Sequence, residues 1–430
     1  MIGAKKQLKK YLTILFVLFF IGVQQQLSAQ KAKSDISEVF IPGYNFMDSK
    51  YKSIQIPGQD STRLNNFFQK VDALVNQKSG RINILHIGGS HVQADMFSHQ
   101  VRQNLDAINE EFQTPRGFIF PFTVAKTNNP TNYKVTYSGE WSAARNVQKN
   151  RQIPVGVGGI AVYTSDPKAK INVSLNPDDI LRWDFDQLRL LGYVEDGSDM
   201  VTPVLYYNND TIEGHLDLIS NTYLFNLPEP NYSFSIGFIQ KDAVPRTFIL
   251  NGFIPEKETP GIVYHAIGVN GASVPSYLGS EYFEDELHLL NPDLVIFGIG
   301  INDATSKDFT DEWFRQNYDD LIDVIERVSP DCAYIFVTNN DSFKRVSKKS
   351  YQVNHNGVIA KNAFYKLAEK HQGGVWDLFS LMGGLTSMRK WQTERLAQPD
   401  KVHFTRAGYL LIGDMFYNAF IDYYKQIDSE

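Results

Sequence analysis

Apolar residues recur along this chain in two rhythms, and their alternation is the first guide to its architecture. In "STRLNNFFQKVDALVNQ" the positions Leu64, Phe67, Phe68, Val71 and Leu74 fall on one face of a helix. The run that follows, "INILHIG", is short and apolar throughout, as strands buried on both faces of a parallel sheet are. Three later segments repeat the step from strand to helix: "GIVYHAIGVNGAS" from Gly261, "PDLVIFGIGINDA" from Pro292 and "CAYIFVTNND" from Cys332. Phe314, Tyr318, Leu321, Ile322, Ile325 and Val328 predict a helix from Asp311 to Val328, and a further helix is expected near Val353 to Lys370. "GGVWDLF" then supplies a fifth short strand. Strands alternating with helices imply right-handed crossovers and a doubly wound α/β sheet.

Between the first and second of these strands the rhythm changes. From about Tyr133 to Glu258 the runs "KINVSL", "TPVLYY", "NTYLFNL", "YSFSIGFI" and "TFILNGFI" are separated by Asn, Asp, Gly and Pro, without a helical period. An insertion of that size predicts a β-sandwich module with its own core. The expected organisation is therefore an α/β domain in two parts, residues 30–130 and 260–430, around an inserted sandwich at 131–259.

The first 29 residues stand apart. Lys5, Lys6, Lys9 and Lys10 precede "YLTILFVLFFIGV", an apolar run short for a bilayer span, and "LSAQ" offers a small-residue cleavage site after Ala29. A cleaved signal peptide is the simplest reading and an uncleaved anchor the alternative. It predicts a secreted or periplasmic protein with no stable membrane span after cleavage. Losing four of the 42 Lys and Arg leaves 38 against 48 Asp and Glu, a net charge of −10. That sign disfavours nucleic acid and anionic membranes as partners. The lone Cys332 excludes an intramolecular disulfide framework and a cysteine zinc cluster, and it reads as a small core residue.

Candidate chemistry begins at "RINILHIGGSHVQADMF". A strand entering Gly88 and Gly89, then Ser90, then a helix with Phe97, Val101, Leu105 and Ile108 inward sets the serine at the carboxyl edge of a parallel sheet, where open α/β sheets bind ligands. Unpaired N–H groups at a helix start favour an oxyanion there. A plain helix cap is the other use of such a serine. Near the end of the chain, "QPDKVHFTRAGYLLIGDMF" sets Asp400 three residues before His403. A serine hydroxyl becomes a nucleophile when a neutral imidazole takes its proton, and an acid on the other ring nitrogen fixes the tautomer. A solvated loop pair is the alternative for these two.

Taken in order, "GGSH", "GVNGAS", "GIGIND" and "DKVHFTRAGY" resemble the sequence blocks of the SGNH (GDSL-like) hydrolases. The resemblance implies a three-layer αβα, flavodoxin-like parallel sheet and an esterase activity. It implies Ser90 as nucleophile, His403 as base, Asp400 as orienting acid, and an oxyanion hole from the Ser90 and Gly271 N–H groups and the Asn302 amide, with no metal or organic cofactor. The histidine after the serine, the β insertion and "VWDLFSLMGG" are closer to the bacterial branch that includes peptidoglycan O-acetylesterases, in which the insertion resembles a carbohydrate-binding domain. An acylated carbohydrate, peptidoglycan or a plant-type polysaccharide, is the implied substrate. A glycan O-acetyltransferase with the same triad and a non-catalytic glycan-binding protein are the alternatives. The family pattern has an acid where this chain has Gly89, which bears on the rigidity of the corner, and glycine there admits backbone angles an aspartate would resist.

Other residues carry weaker signals. Asp303 is expected to cap the next helix. A metal at His86, His91 and Asp95 is disfavoured because His86 should point into the strand core and no fourth ligand is evident. Trp141 and Arg145 are candidates for sugar contact, although Trp141 reads more readily as core.

Overall fold

The computed structural model describes residues 36–427 except 110, 176–182, 209, 348 and 349. The expected leader, 1–29, lies outside the described residues. Five parallel strands, β1 (Arg81–Gly88), β2 (Gly261–Gly268), β3 (Leu294–Gly298), β4 (Ala333–Val337) and β5 (Gly374–Trp376), form one sheet in the order β2-β1-β3-β4-β5. That is the flavodoxin-like order, whose direction of winding reverses between β1 and β3 and opens a crevice at their carboxyl ends.

Five long helices follow in chain order: α1 (Thr62–Gln77), α2 (Met96–Asp106), α3 (Asp311–Val328), α4 (Asn356–Lys370) and α5 (Arg406–Gln426). The strand period sorts the sheet's side chains between two layers. Ile82, Ile84, Ile262, Ile296 and Ile335 pack with α1, α2 and α5, whereas Leu85, Ile87, Ile267, Phe297 and Phe336 pack with α3 and α4. Each fully buried Ile, Leu or Phe contributes about 1.5–3 kcal/mol, so the near-continuous apolar strands carry the three-layer αβα fold. Local signals fix the helix starts: Thr310 accepts the Trp313 N–H at the head of α3, and Thr405 accepts the Gly408 N–H at the head of α5. Helix α4 begins three residues later than the pattern suggests, because Tyr351–Val353 pairs as a short strand with Phe343–Arg345.

The segment between β1 and β2 builds two antiparallel sheets. One has six strands, centred on Phe248–Glu256 and Phe185–Val194, and the other has five, centred on Ser233–Gln240. Phe185–Val194 is absent from the sequence reading because Gln187 and Arg189 interrupt its apolar run. Arg189 pairs with Glu256 on the neighbouring strand, which satisfies the charge at the sheet surface. The main core of the sandwich is continuous with that of the α/β domain. Its buried side chains run without a break into the α3 and α4 layer, and Ile119, near the end of the first part of the α/β domain, bridges to Phe253 in the sandwich. Among the described residues no helix is long and apolar enough to cross a membrane.

Candidate active site

The corner after β1 is built by close backbone approach. A Cβ on Gly268, the last residue of β2, would lie 2.4 Å from the Gln93 nitrogen and 2.8 Å from the Gly89 carbonyl oxygen, so the turn carrying Ser90 can sit directly on the sheet edge. Ser90–Gln93 forms one short helix, and the chain then breaks at Asp95, with φ +50°, before α2. The single helix expected from Ser90 is therefore two, and Ile108 lies beyond the end of α2. The break has a physical cause. It turns the Asp95 carboxylate inward to Arg116, Arg102 and Asn132, all buried, and aspartate tolerates the left-handed region better than most residues. Burial alone would raise the Asp95 carboxyl, but the two guanidinium groups outweigh it and hold it below its ordinary value.

Gly89 itself has φ −101° and ψ −136°. An added Cβ would lie 3.4 Å from Asn302 Nδ2 and 3.5 Å from the Ala272 carbonyl oxygen, a close but open position.

Ser90 Oγ lies 2.8 Å from His403 Nε2, and His403 Nδ1 lies 2.8 Å from Asp400 Oδ2. The remaining oxygen of Asp400 accepts the backbone N–H groups of Val402 and His403 at 2.9 and 3.0 Å. Partial burial would raise this carboxyl, but the His403 side chain and those two N–H groups bring it down to about 2. An ionised acceptor beside Nδ1 places the imidazole proton there, which leaves Nε2 free to accept from the serine. His91, next to the serine, is packed behind the base with ring centroids 5.2 Å apart, and its Nδ1 is paired with the Tyr409 hydroxyl. Burial, and then the neighbouring His403, push His91 down to about 3, so it stays neutral.

The candidate oxyanion groups converge on the same corner. Gly271 has φ +85° in the turn closed by Ala272 N–H to the Val269 carbonyl, a conformation that favours glycine. The Asn302 amide donates one hydrogen to the Ala272 carbonyl at 2.8 Å, which orients it and leaves its second hydrogen. These groups, with Ser90 and His403, line a cavity of about 420 Å³. Among the described residues no Lys, Arg, Asp or Glu lines it. A larger cavity, about 1030 Å³, opens near Gly80 and Arg81 at the opposite end of β1, away from this chemistry.

The remaining candidates fall elsewhere. Asp303 does not cap the helix that follows it. It lies within the short helix Ile301–Ala304, and its carboxylate accepts the Val274 N–H at 3.2 Å, capping the neighbouring helix Val274–Leu278 across the crevice. Burial pushes it up to about 7. His86 is fully buried in the strand core, with its Nδ1 paired with the Tyr264 hydroxyl at 2.9 Å. Among the described residues no group of three or more His, Cys, Asp or Glu is placed to hold a metal. Trp141 is partly buried against Phe238, and Arg145 donates to the Ala125 carbonyl. Neither lines the 420 Å³ cavity. Sequence reasoning missed Asn128 and Asn270 on the wall beside Ser90, and the buried Gln93 behind them, because lone amides show no spacing.

Comparison with known proteins bears on this geometry. The model of the GDSL-like lipase/acylhydrolase family matches residues 253–411. Residues 253–411 thus form a GDSL-like lipase/acylhydrolase domain within the chain. Its class is carboxylic ester hydrolase. The match to this GDSL-like domain takes in Gly271, Asn302, Asp400 and His403 but not Ser90, which only the fold brings to them. A solved peptidoglycan O-acetylesterase shares the fold at a TM-score of 0.65 and 19% identity, over 86% of this chain and 99% of that one. A lipase/acylhydrolase from Enterococcus faecalis gives 0.30 at 20% identity, over 38% and 77%, and an acetyl xylan esterase 0.29 at 21%, over 37% and 81%. No curated protein matches.

Proposed function

We propose that the protein removes a small acyl group, most simply acetyl, from a carbohydrate through an acyl-enzyme on Ser90. The observation that carries this is the chain of contacts from Ser90 Oγ through the His403 ring to Asp400. His403 Nε2 takes the hydroxyl proton as Ser90 Oγ attacks the ester carbonyl. The Ser90 and Gly271 N–H groups and the free hydrogen of the Asn302 amide hold the oxyanion. The protonated His403 then gives its proton to the departing alcohol oxygen; in the second half a water that His403 deprotonates attacks the acyl carbon, the bond to Ser90 Oγ breaks, and His403 returns the proton to that oxygen as the acid leaves. Asp400 keeps the ring in its working tautomer and stabilises the imidazolium.

A cavity of about 420 Å³ without fixed charge suits a small acyl group on an uncharged alcohol. The fold shared with a peptidoglycan O-acetylesterase, together with the acidic chain, supports a carbohydrate outside the cytoplasm. In this reading residues 131–259 are the inserted module and 30–130 with 260–430 the catalytic domain. The test is mass spectrometry of O-acetylated cell-wall and plant-type glycans before and after exposure to the protein and to Ser90→Ala. Loss of 42 Da increments (about one acetyl per ester, by the ester chemistry) with wild type alone supports the reading. Equal release by both ends it, and acetyl appearing on an added acceptor makes the protein a transferase.

A further inference from the structure

Three buried or wall-forming amides beside Ser90 form a chain whose polarity can be read from its ends. Gln93 is 2% exposed and sits on the same short helix as Ser90. Its Oε1 accepts the backbone N–H of Asn270 at 2.7 Å, and its Nε2 donates to the backbone carbonyl of Asn128 at 3.0 Å. A backbone N–H can only donate and a backbone carbonyl can only accept, so the orientation of Gln93 is fixed at both ends. The Asn128 side-chain atom 3.0 Å from Gln93 Nε2 must then be its oxygen. The Asn270 side-chain atom that meets that oxygen must in turn be its nitrogen. Thr127 Oγ1 closes the group by accepting the other hydrogen of the Asn270 nitrogen at 3.3 Å.

Two atoms remain outside this chain: the NH2 of Asn128, a donor, and the carbonyl oxygen of Asn270, an acceptor. No described residue engages either, and both residues line the cavity next to Gly271. We propose that Asn128 and Asn270 form a subsite that reads a free hydroxyl on the alcohol half of the ester, with Gln93 as the positioning residue that holds the pair. A hydroxyl accepts from the one and donates to the other, whereas an anion is repelled by the Asn270 oxygen and an alkyl group satisfies neither. This rests on the reading of Ser90 as nucleophile, and it narrows the substrate to an ester whose alcohol carries a neighbouring hydroxyl, as in a partly acetylated sugar.

The test uses a matched pair of esters, the monoacetate of trans-1,2-cyclohexanediol and cyclohexyl acetate, which differ by one hydroxyl. Wild type is expected to favour the hydroxy ester about tenfold in kcat/KM, the worth of roughly one net hydrogen bond. Asn128→Asp keeps the oxygen that faces Gln93 but replaces the outward donor with an acceptor, and Asn270→Ala removes the outward acceptor. Each should bring the ratio of the two esters to about one, whatever happens to the absolute rates. A purely structural role would lower both esters together and leave the ratio, and that result overturns the proposal, as does a ratio of one in wild type. Ser90→Ala measured alongside separates the two claims: if it is inactive while the Asn variants keep the wild-type ratio, the subsite alone falls.

Discussion

Asp400→Asn reaches the catalytic geometry through a single proton. Val402 and His403 donate their N–H groups to one oxygen of Asp400, so the replacement keeps its carbonyl oxygen at that position. Its NH2 then faces His403 Nδ1, where the acid had been an acceptor at 2.8 Å. A donor there selects the tautomer with the proton on Nε2, and that nitrogen can no longer take the Ser90 proton. Turning the amide over restores the working tautomer but breaks two hydrogen bonds, each worth about 0.5–1.5 kcal/mol. Loss of the negative charge beside the imidazolium costs a further ~1–4 kcal/mol at this separation. The side chains of His403 and Asp400 are 38% and 43% exposed, which keeps that electrostatic part toward its lower end. Together the two effects amount to about 4 kcal/mol, or roughly a 10³-fold fall in kcat. Hydrolysis of 4-nitrophenyl acetate at pH 8 measures it, with Tm as the check on folding. A loss smaller than tenfold at unchanged Tm would refute the tautomer argument.

Asn302→Ala should lower kcat for an aryl acetate by about 10²–10³-fold with little change in KM, since one oxyanion donor is typically worth about 2.7–4 kcal/mol; an equal rise in KM instead would make Asn302 a ground-state contact. Gly89→Ala should leave the rate within about threefold, because contacts of 3.4 and 3.5 Å leave room for a methyl group, and a clash there would cost more than 1 kcal/mol. A tenfold loss would show that the corner needs glycine after all. Glu286 accepts from Val157 N–H and the Asn251 amide, and burial pushes its carboxyl from 4.5 up to about 7. The folded state therefore keeps a proton that the unfolded chain releases, so the stability this group contributes is complete below pH 4.5 and is lost as pH rises through 7. Glu286→Gln should raise Tm at pH 8, by an effect on the order of 3 kcal/mol at most, and leave it nearly unchanged at pH 5. Equal shifts at both pH values would contradict that assignment.

The parallel sheet is legible in the sequence because β1 to β4 are each a continuous apolar run, which only burial on both faces explains. The long helices α1 and α3 are legible from their stripes of Leu, Phe and Ile. Less legible is whatever depends on a polar residue finding a distant partner. Arg189 hides a central sandwich strand until Glu256 is seen beside it. Asp95 breaks a helix for the sake of Arg116, a residue 21 positions further on that no helical or strand period links to it. Asp303 caps a helix that precedes it in sequence rather than the one that follows. The shared core of sandwich and α/β layer is likewise invisible to a pattern that treats each segment alone. Ser90, Asp400 and His403 stand out through their motifs, but their contact depends on strand order, and the amide chain at Gln93 has no motif at all.

A fluorophosphonate probe, which reacts only with a serine whose proton is being drawn away, tests the central claim most directly. Mass spectrometry of the labelled protein is predicted to find one adduct per chain, on the peptide containing Ser90, with aryl acetate hydrolysis falling in step with labelling. Full activity with Ser90 completely modified, or an adduct elsewhere that accounts for the loss, would contradict the account.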